Sequence, residues 1–482
     1  MIKIQNFVGG EYQDPQSGKF LPVYNPATGE HYADCPDSDG VDVVLGIQAA
    51  QKAFKTWSKT PATERARLLN RVADIMDERV DELAEAETRD QGKPMWLSKK
   101  IEVPRAATNF RFFAAKILTE ENKTSTIDDQ AVNYAIRQPI GVCGLISPWN
   151  LPLVLFTWKL APCLAMGNTA VCKPSEVTPM TAFLMGEILN EAGIPKGVCN
   201  IIFGTGPEAG ETLVSHPGVP LISFTGGTKT GLAIQNAAAP HYKKVSLELG
   251  GKNANIILKD ADIKKAVETS LRASFQNSGQ ICLCGSRLMV QQDIYDEFMT
   301  EFKKQASDLK VGDPTEENTF MGPVVSKEHK EKIMAAIEQA KSENGKITLG
   351  GGEPQLPDAN KNGYFIEPTV IEDLTNCSDL WLEEIFGPVV TVMPFKYPAD
   401  AVKWANTSPY GLSCSIFTQD IKRGHKMAAE IEAGTVWVNT WMKRDLRVPF
   451  GGMKGSGVGR EGGDNSLNFY SETKNICISL EK

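Results

Sequence analysis

The alternation of strands and helices along this chain predicts an α/β protein whose parallel sheets form two lobes in series. Three observations carry the prediction. Strand, helix and strand follow one another from Asn168 to Leu249, the rhythm restarts beyond Gly250–Gly251, and 41% hydrophobic with 23% charged residues is an ordinary globular composition. At ~150 residues per domain, 482 residues make room for about three domains with cores of their own.

Element by element, apolar residues recur at helical spacing over Val41–Trp57 and Thr63–Arg89, giving two amphipathic helices, and Asn109–Ile117 continues the helical region. Thr119–Asp129 is polar and acidic, and Ala131–Arg137 alternates like a strand, so this stretch reads as a protruding excursion. Gln138–Trp158 carries no charge and is long enough to suggest a membrane span, but Pro139, Pro148 and Pro152 break it into buried strand, loop and helix start. Asn168–Lys173 and Val198–Phe203 read as strands around a helix from Met180 to Ala192, closed by Gly193 and Pro195. A helix from Pro207, a strand at Leu221–Phe224, a helix opening at Gly226–Gly227 and a strand at Lys244–Leu249 complete the first lobe. The second begins with strand Ala254–Leu258, helix Ile263–Phe275, strand Arg287–Val290 and helix Asp293–Leu309, with later strands near Ser413 and Val436. No flexible linker separates the lobes, so a cleft between them is expected.

Composition excludes several function classes. Acidic residues outnumber basic ones 59 to 51, for a net charge of −8, and no cationic stripe suits nucleic acid. The ten cysteines are scattered without a secreted scaffold pattern, and the five histidines never fall at the i, i+4 spacing of a zinc helix, so no metal is expected. Met1–Gly10 lacks the basic start and apolar run of an export signal. A cytoplasmic protein without a membrane partner is expected.

Two kinds of site remain. Gly457, Gly459 and Gly462 spell G-x-G-x-x-G, but a turn-rich Pro449–Gly452 precedes them where the motif needs a strand. Gly204–Thr205–Gly206 with Gly210 follows a strand but is spaced one residue too long. Together with Gly226–Gly227 at the next strand-to-helix turn, it supplies backbone amides suited to a pyrophosphate. Cys282, in Phe275–Gln276–Asn277–Ser278–Gly279–Gln280–Ile281–Cys282, is the sharper feature. A free cysteine is ordinarily a small core hydrophobe, but these polar and glycine neighbours would expose amides that stabilise a thiolate and later an oxyanion. Glu248, on an apolar strand ending at Gly250–Gly251, is either a salt-bridged structural residue or a general base raised by desolvation.

Six motifs in order, Ser147–Pro148–Trp149–Asn150, Lys173–Pro174–Ser175–Glu176, Glu248–Leu249–Gly250–Gly251–Lys252, Phe275-x-Asn277-x-Gly279–Gln280-x-Cys282, Glu384-x-Phe386–Gly387–Pro388 and Pro449–Phe450–Gly451–Gly452, span nearly the whole chain. Together they resemble the aldehyde dehydrogenase superfamily. The resemblance implies that Cys282 attacks an aldehyde, that Asn150 and the Cys282 N–H hold the oxyanion, and that Glu248 activates the water that hydrolyses the thioester. Because relatives that pass the acyl group to coenzyme A typically lack that base, Glu248 implies hydrolysis. Lys159 and Glu461 match family positions near a proton route from the base; the alternative reading of each is a surface or salt-bridge residue.

The cofactor implied is NAD. Lys173 and Glu176 match holders of the adenine ribose, Glu384 the nicotinamide-ribose ligand, and Phe386 a residue beside the ring. Ile146, Pro148, Trp149, Ser175, Gly206, Gly210, Phe224, Thr225, Gly226, Gly227 and Leu249 complete the implied cleft. Glu176 would repel a 2′-phosphate, so NADP is disfavoured. Where the family commonly has serine, Gly227 stands, and more mobile phosphates are expected. The resemblance also implies two Rossmann-like lobes with a small β oligomerisation element: residues 1–118 and 139–250 binding NAD, 251–450 catalytic, and 119–138 with 466–482 bridging subunits of a homodimer or homotetramer.

For the substrate, family tunnels are lined by residues after Pro-Trp-Asn and before Pro-Phe-Gly-Gly. Here Leu151, Leu155, Trp158, Ile281, Leu283 and Phe450 are implied. Trp441–Arg447 carries three cations, either a solvated loop or a tunnel wall. Arg447, two residues before Pro449, and Arg111, among aromatics, are the candidates to grip a carboxylate in a fork. The pattern Asn109–Phe113 with Arg447–Phe450 is similar to that of the 2-aminomuconic and 2-hydroxymuconic semialdehyde dehydrogenases, which oxidise a carboxylated semialdehyde in kynurenine or aromatic catabolism. The alternatives are a betaine-aldehyde-type or broad-specificity dehydrogenase, a non-enzymatic member, and a cysteine hydrolase without redox chemistry.

Overall fold

A computed structural model describes residues 1–481; Lys482, the end of the expected bridging segment, lies outside the described residues. The first large sheet runs, in spatial order, Gly457–Val458, Lys244–Glu248, Leu221–Thr225, Val142–Ile146, Thr169–Lys173, Cys199–Ile201, Asn6–Val8 and Glu11–Gln13. Its five central strands are parallel and its outer ones antiparallel. Such strands bury both faces, which is why they read as short continuous apolar runs such as Val142–Ile146. From Val142–Ile146 the chain winds outward through Thr169–Lys173 and Cys199–Ile201. It then returns to Leu221–Thr225 on the opposite side, leaving a topological switch point between Ile146 and Phe224.

The second sheet has the order Lys346–Leu349, Thr369–Glu372, Val389–Phe395, Arg287–Gln291, Ala254–Ile257, Ser413–Phe417 and Thr435–Val438, parallel except for its first strand. A third, small sheet is antiparallel: Thr124–Ile127 pairs with Ala131–Pro139, which pairs with Ser471–Ser479 from Ala131↔Ser479 to Pro139↔Ser471. Among the described residues, no helix is long and apolar enough to cross a membrane.

The uncharged stretch becomes the strand Val142–Ile146, a turn, and the helix Pro152–Ala165, which is apolar nearly all round and therefore packed on all sides. The single helix expected over Thr63–Arg89 is instead two, Ala62–Glu78 and Val80–Gln91, broken at Arg79 (φ −104°, ψ 24°). There Arg79 binds Glu82 and, from across the interface, Glu187. No glycine or proline announces this break in the sequence. The helix expected from Pro207 is a wide turn, Gly206–Gly210, running into Glu211–Ser215.

Candidate active site

The C-terminal ends of the first sheet's strands line up: Ile146 beside Lys173 and Phe224, and Thr225 beside Glu248. Above them opens a cleft of about 620 Å³. Of the residues expected to bind cofactor, Ile146, Pro148, Trp149, Lys173, Ser175, Glu176, Gly206, Gly210, Phe224, Thr225, Gly226 and Gly227 all line it. Lys173 donates to Glu176 Oε2 at 3.0 Å, which fixes the carboxylate at the rim. The helix Thr228–Ala238 starts after Gly227 with no side-chain cap, so its first-turn N–H groups face the cleft unspent. Val214 and Ile234 give the cleft apolar walls, and Thr225 Oγ1 is buried without a partner. Acidic ribose-type acceptor, free helix amides and apolar walls fit a dinucleotide. Leu249 lies outside this lining and packs under the same helix, where a Cβ on Gly231 would meet it at 2.6 Å.

Across the cleft, Gly251–Asn253, Cys282–Gly285 and Gly387–Pro388 immediately precede the strands Ala254–Ile257, Arg287–Gln291 and Val389–Phe395. These loops therefore enter the second sheet where the first sheet's strands leave theirs. Helix Ile263–Phe275 ends in a tight reversal, with Asn277, Ser278 and Gly279 at φ 54°, 53° and 71°. This rare left-handed run is strapped down by Ser278 Oγ on Gly322 O at 2.8 Å and by Val325 N–H on Gln280 Oε1 at 3.0 Å. Asn253 Nδ2 donates to the carbonyls of both Cys282 and Cys284 at 2.8 Å. Asn150 Nδ2 donates one hydrogen to Gln280 O at 3.0 Å, and Asn150 O accepts from Asn277 Nδ2 at 3.2 Å. One Asn150 N–H thus remains for another acceptor.

Cys282 is half-buried among Ile281, Leu283, Trp437, Trp441 and Phe450. Its thiol is not the ready thiolate expected from exposed amides: burial pushes it up to about 12, against the opposing pull of Arg444 and its own N–H. Glu248 is buried with Oε1 unpartnered, and burial, then the nearby Glu461, hold its carboxyl well above the usual range. The expected Lys159 and Glu461 form a buried ion pair at 3.2 Å, in which Lys159 also donates to Ser223 Oγ at 3.0 Å and Trp158 Nε1 donates to Glu461 Oε2 at 2.6 Å. Glu384 accepts from Gly251 N at 2.9 Å, burial raising its carboxyl to about 7. A Cβ at Gly250 would stand 2.3 Å from Glu384 Oε2, so only glycine admits this approach.

The guanidinium fork expected at Arg111 and Arg447 is not what the structure builds. Arg111 turns outward to Asp74 and Asp77, both at 2.7 Å. Arg447 is 80% exposed and spent on Asp445. Two other arginines face the site. Arg444 lies 3.7 Å from the Phe450 ring centre and 5.7 Å from that of Trp158, and Arg105 lies 5.9 Å from the same Trp158 ring. Among the described residues neither has an acidic ion-pair partner, and burial lowers both guanidinium values, Arg105 to about 10. Leu151 and Trp158 are buried and Leu155 half-buried on the neighbouring helix. The sequence signal for Arg105 was its place one helical turn before Asn109, a face that only packing reveals.

Known proteins place this geometry in a family. The aldehyde dehydrogenase family profile matches residues 12–476. The 2-aminomuconic semialdehyde dehydrogenase of Danio rerio is 46% identical over 99% of this chain and 98% of its own. The 2-hydroxymuconic semialdehyde dehydrogenase of Pseudomonas sp. (strain CF600) is 46% identical over the full length of both. The NAD+ complex of an aldehyde dehydrogenase from Bacillus cereus superposes with a TM-score of 0.97 at 38% identity, covering 99% of this chain and 97% of that one. A Rossmann-like pair of lobes, this loop architecture and full-length similarity lead to one conclusion: the chain belongs to the aldehyde dehydrogenase family.

Proposed function

We propose that the protein oxidises a carboxylated, muconic-type semialdehyde to the acid with NAD. The observation that carries the substrate class is the pair Arg105 and Arg444, two cations on one Trp158 ring with no acidic partner among the described residues. Like charges held together in a partly desolvated crevice are costly unless an anion joins them, and a carboxylate matches a guanidinium fork in shape and charge. Trp158 is itself fixed by Glu461, so the platform is rigid. A cationic betaine aldehyde would meet the same charges as repulsion.

In this reading the Cys282 thiol gives its proton to Glu248, whose raised carboxyl is a stronger base than an exposed one, and Arg444 steadies the resulting thiolate. Sulfur adds to the aldehyde carbon, and the free Asn150 N–H with the Cys282 N–H takes the oxyanion. When bound at Lys173, Glu176 and Glu384, NAD supplies the hydride acceptor that turns the thiohemiacetal into a thioester. Glu248 passes the proton it took from sulfur on to solvent and, ionised again, draws a proton from water, whose oxygen adds to the thioester carbon. The C–S bond breaks, and acid leaves. The relatives named above act on such semialdehydes, which supports the substrate class. We further assign the bridging role to the small sheet, whose strand Ser471–Ser479 is an edge, and a reducing, cytoplasmic setting to a chain whose ten cysteines are unpaired.

Charge-assisted hydrogen bonds are worth about 1.5–3 kcal/mol each, so Arg444→Ala and Arg105→Ala should each raise KM for a carboxylated semialdehyde roughly 10- to 100-fold. KM for an uncharged aldehyde should change far less, and Arg111→Ala should leave both unchanged. Equal losses on charged and uncharged aldehydes would reject the carboxylate clamp.

A further inference from the structure

Phe386 has φ +60°, a left-handed conformation that a bulky side chain adopts only when its surroundings impose it. The contacts that impose it are visible. Phe386 O accepts from His329 Nε2 at 2.8 Å. On the other side, Gly387 O lies where a Cβ on Gly279 would meet it at 2.0 Å. Downstream, Thr369 N–H holds Pro388 O at 2.8 Å. His329 is well placed for such a task. It stands in the first turn of helix Lys327–Ser342, its N–H capped by Ser326 Oγ at 3.1 Å. Its ring sits edge-on to Trp149 at 4.9 Å and near Phe386 at 6.2 Å, while Trp149 and Phe386 meet at 5.3 Å. One ring thus comes from the first lobe, next to Asn150, and two from the second. Because Phe386 O can only accept, His329 carries its proton on Nε2. Burial, with a smaller push from Lys332 on the same helix, lowers its value to about 4 against the opposing pull of the Phe386 carbonyl, so the ring is neutral near pH 7.

We propose that His329 is a positioning residue for the redox half of the reaction: by holding the Phe386 carbonyl it keeps the Glu384–Phe386 loop in its left-handed bend. The idea rests on the reading above in which that loop receives the nicotinamide half of NAD. It goes beyond it by assigning the loop's alignment to a histidine that touches neither Cys282 nor Glu248 in any recorded hydrogen bond. Without the Nε2–H, Phe386 relaxes away from the left-handed bend and Glu384 two residues earlier loses its aim, while the Cys282 loop stays held by its own hydrogen bonds through Asn253, Ser278 and Gln280.

The test compares wild type, His329→Leu, which removes the donor at similar bulk, and His329→Gln, whose amide N–H can reach the same carbonyl. Four quantities are measured: aldehyde-dependent NAD reduction, NADH affinity from nicotinamide fluorescence, AMP affinity by calorimetry, and NAD-free ester hydrolysis. His329→Leu is expected to lose at least tenfold in kcat and to weaken NADH several-fold, with AMP affinity and ester hydrolysis within twofold of wild type. His329→Gln is expected to recover most of the loss. Should the leucine variant not fold, His329→Asn, too short to reach the carbonyl, takes its place with the same expectations. A donor-free variant with kcat within twofold of wild type overturns the inference, as does a parallel fall in AMP binding and ester hydrolysis, the mark of general disruption. A wild type that fails to reduce NAD with any of the aldehydes offered sinks the parent reading, whereas normal wild-type turnover with an unaffected leucine variant sinks this inference alone.

Discussion

Burial and charge pull Cys282 in opposite directions, and burial wins: a thiol raised to about 12 is almost wholly protonated near neutrality, with Arg444 the foremost group opposing that rise. Since the thiolate is the species that alkylates, iodoacetamide labelling of Cys282 in the cofactor-free protein should rise about tenfold per pH unit between pH 7 and 10. Arg444→Leu should slow it further at every pH. A labelling rate that levels off by pH 8, followed on the Cys282 peptide by mass spectrometry, would show that burial does not govern the sulfur. The residues themselves differed in how plainly they could be read. Cys282, Glu248 and Asn150 stand out because polar or ionisable side chains in glycine-rich or apolar surroundings are unusual. The arginines do not. Arg105 and Arg111 sit on one helix, six residues apart, which at ~100° per residue points them roughly a third of a turn from each other. Which one meets the site depends on how Phe110 and Phe113 pack, and the aromatic neighbours of Arg111 turned out to be its core-facing companions rather than its own surroundings. Arg444 and Arg447 lie in an irregular loop with Met442 at φ 60°, where no period exists to read.

At the level of elements, the Cys282 loop and the Glu384–Phe386 loop are interlocked backbone to backbone. Gly279, in the left-handed run before Cys282, leaves no room for a Cβ, which would fall 2.0 Å from Gly387 O; Gly312, by contrast, lies outside the cleft, has nothing within 4 Å and does not adopt a left-handed φ. Gly279→Ala must push the two loops apart, and a displacement near 1 Å is enough to cost about 100-fold in rate. We therefore expect aldehyde oxidation to fall by roughly that factor or more, with a lower unfolding temperature, while Gly312→Ala keeps both. Comparable activity in the two variants would show that the interlock is dispensable. Elements defined by local chemistry were legible: Ile263–Phe275 matches its periodicity end to end, and Met180–Glu191 stops at the glycine and proline signals. The break at Arg79 was not, because no glycine or proline marks it and one of the ion-pair partners found there, Glu187, is more than a hundred residues away in sequence. The left-handed Asn277 and Ser278 were equally hidden, since neither residue type is tied to that conformation as glycine is.

For the molecule as a whole, the cleft follows from topology. One sheet ends its strands where the other begins its own, and the motifs scattered from Ser147 to Phe450 meet because each occupies such a strand end or start. The same topology leaves one problem unsolved within a single chain. Among the described residues Ser471–Ser479 pairs only with Ala131–Pro139, so its other edge presents open donors and acceptors, with Ile478 on the strand and Leu480 just after it exposed. A long uncovered edge of this kind invites a second copy. Light scattering should then give a mass that is a multiple of the 52.6 kDa chain. Donors alternate along an antiparallel strand, so of Lys474 and Asn475 one N–H faces the neighbouring strand and the other faces outward. Lys474→Pro and Asn475→Pro remove these donors one at a time. The substitution at the outward position should lower the mass to that of a single chain with little change in unfolding temperature; the inward one should destabilise the small sheet instead. If both variants keep the wild-type mass, the edge is not the contact, and the bridging role assigned to residues 119–138 and 466–482 falls with it.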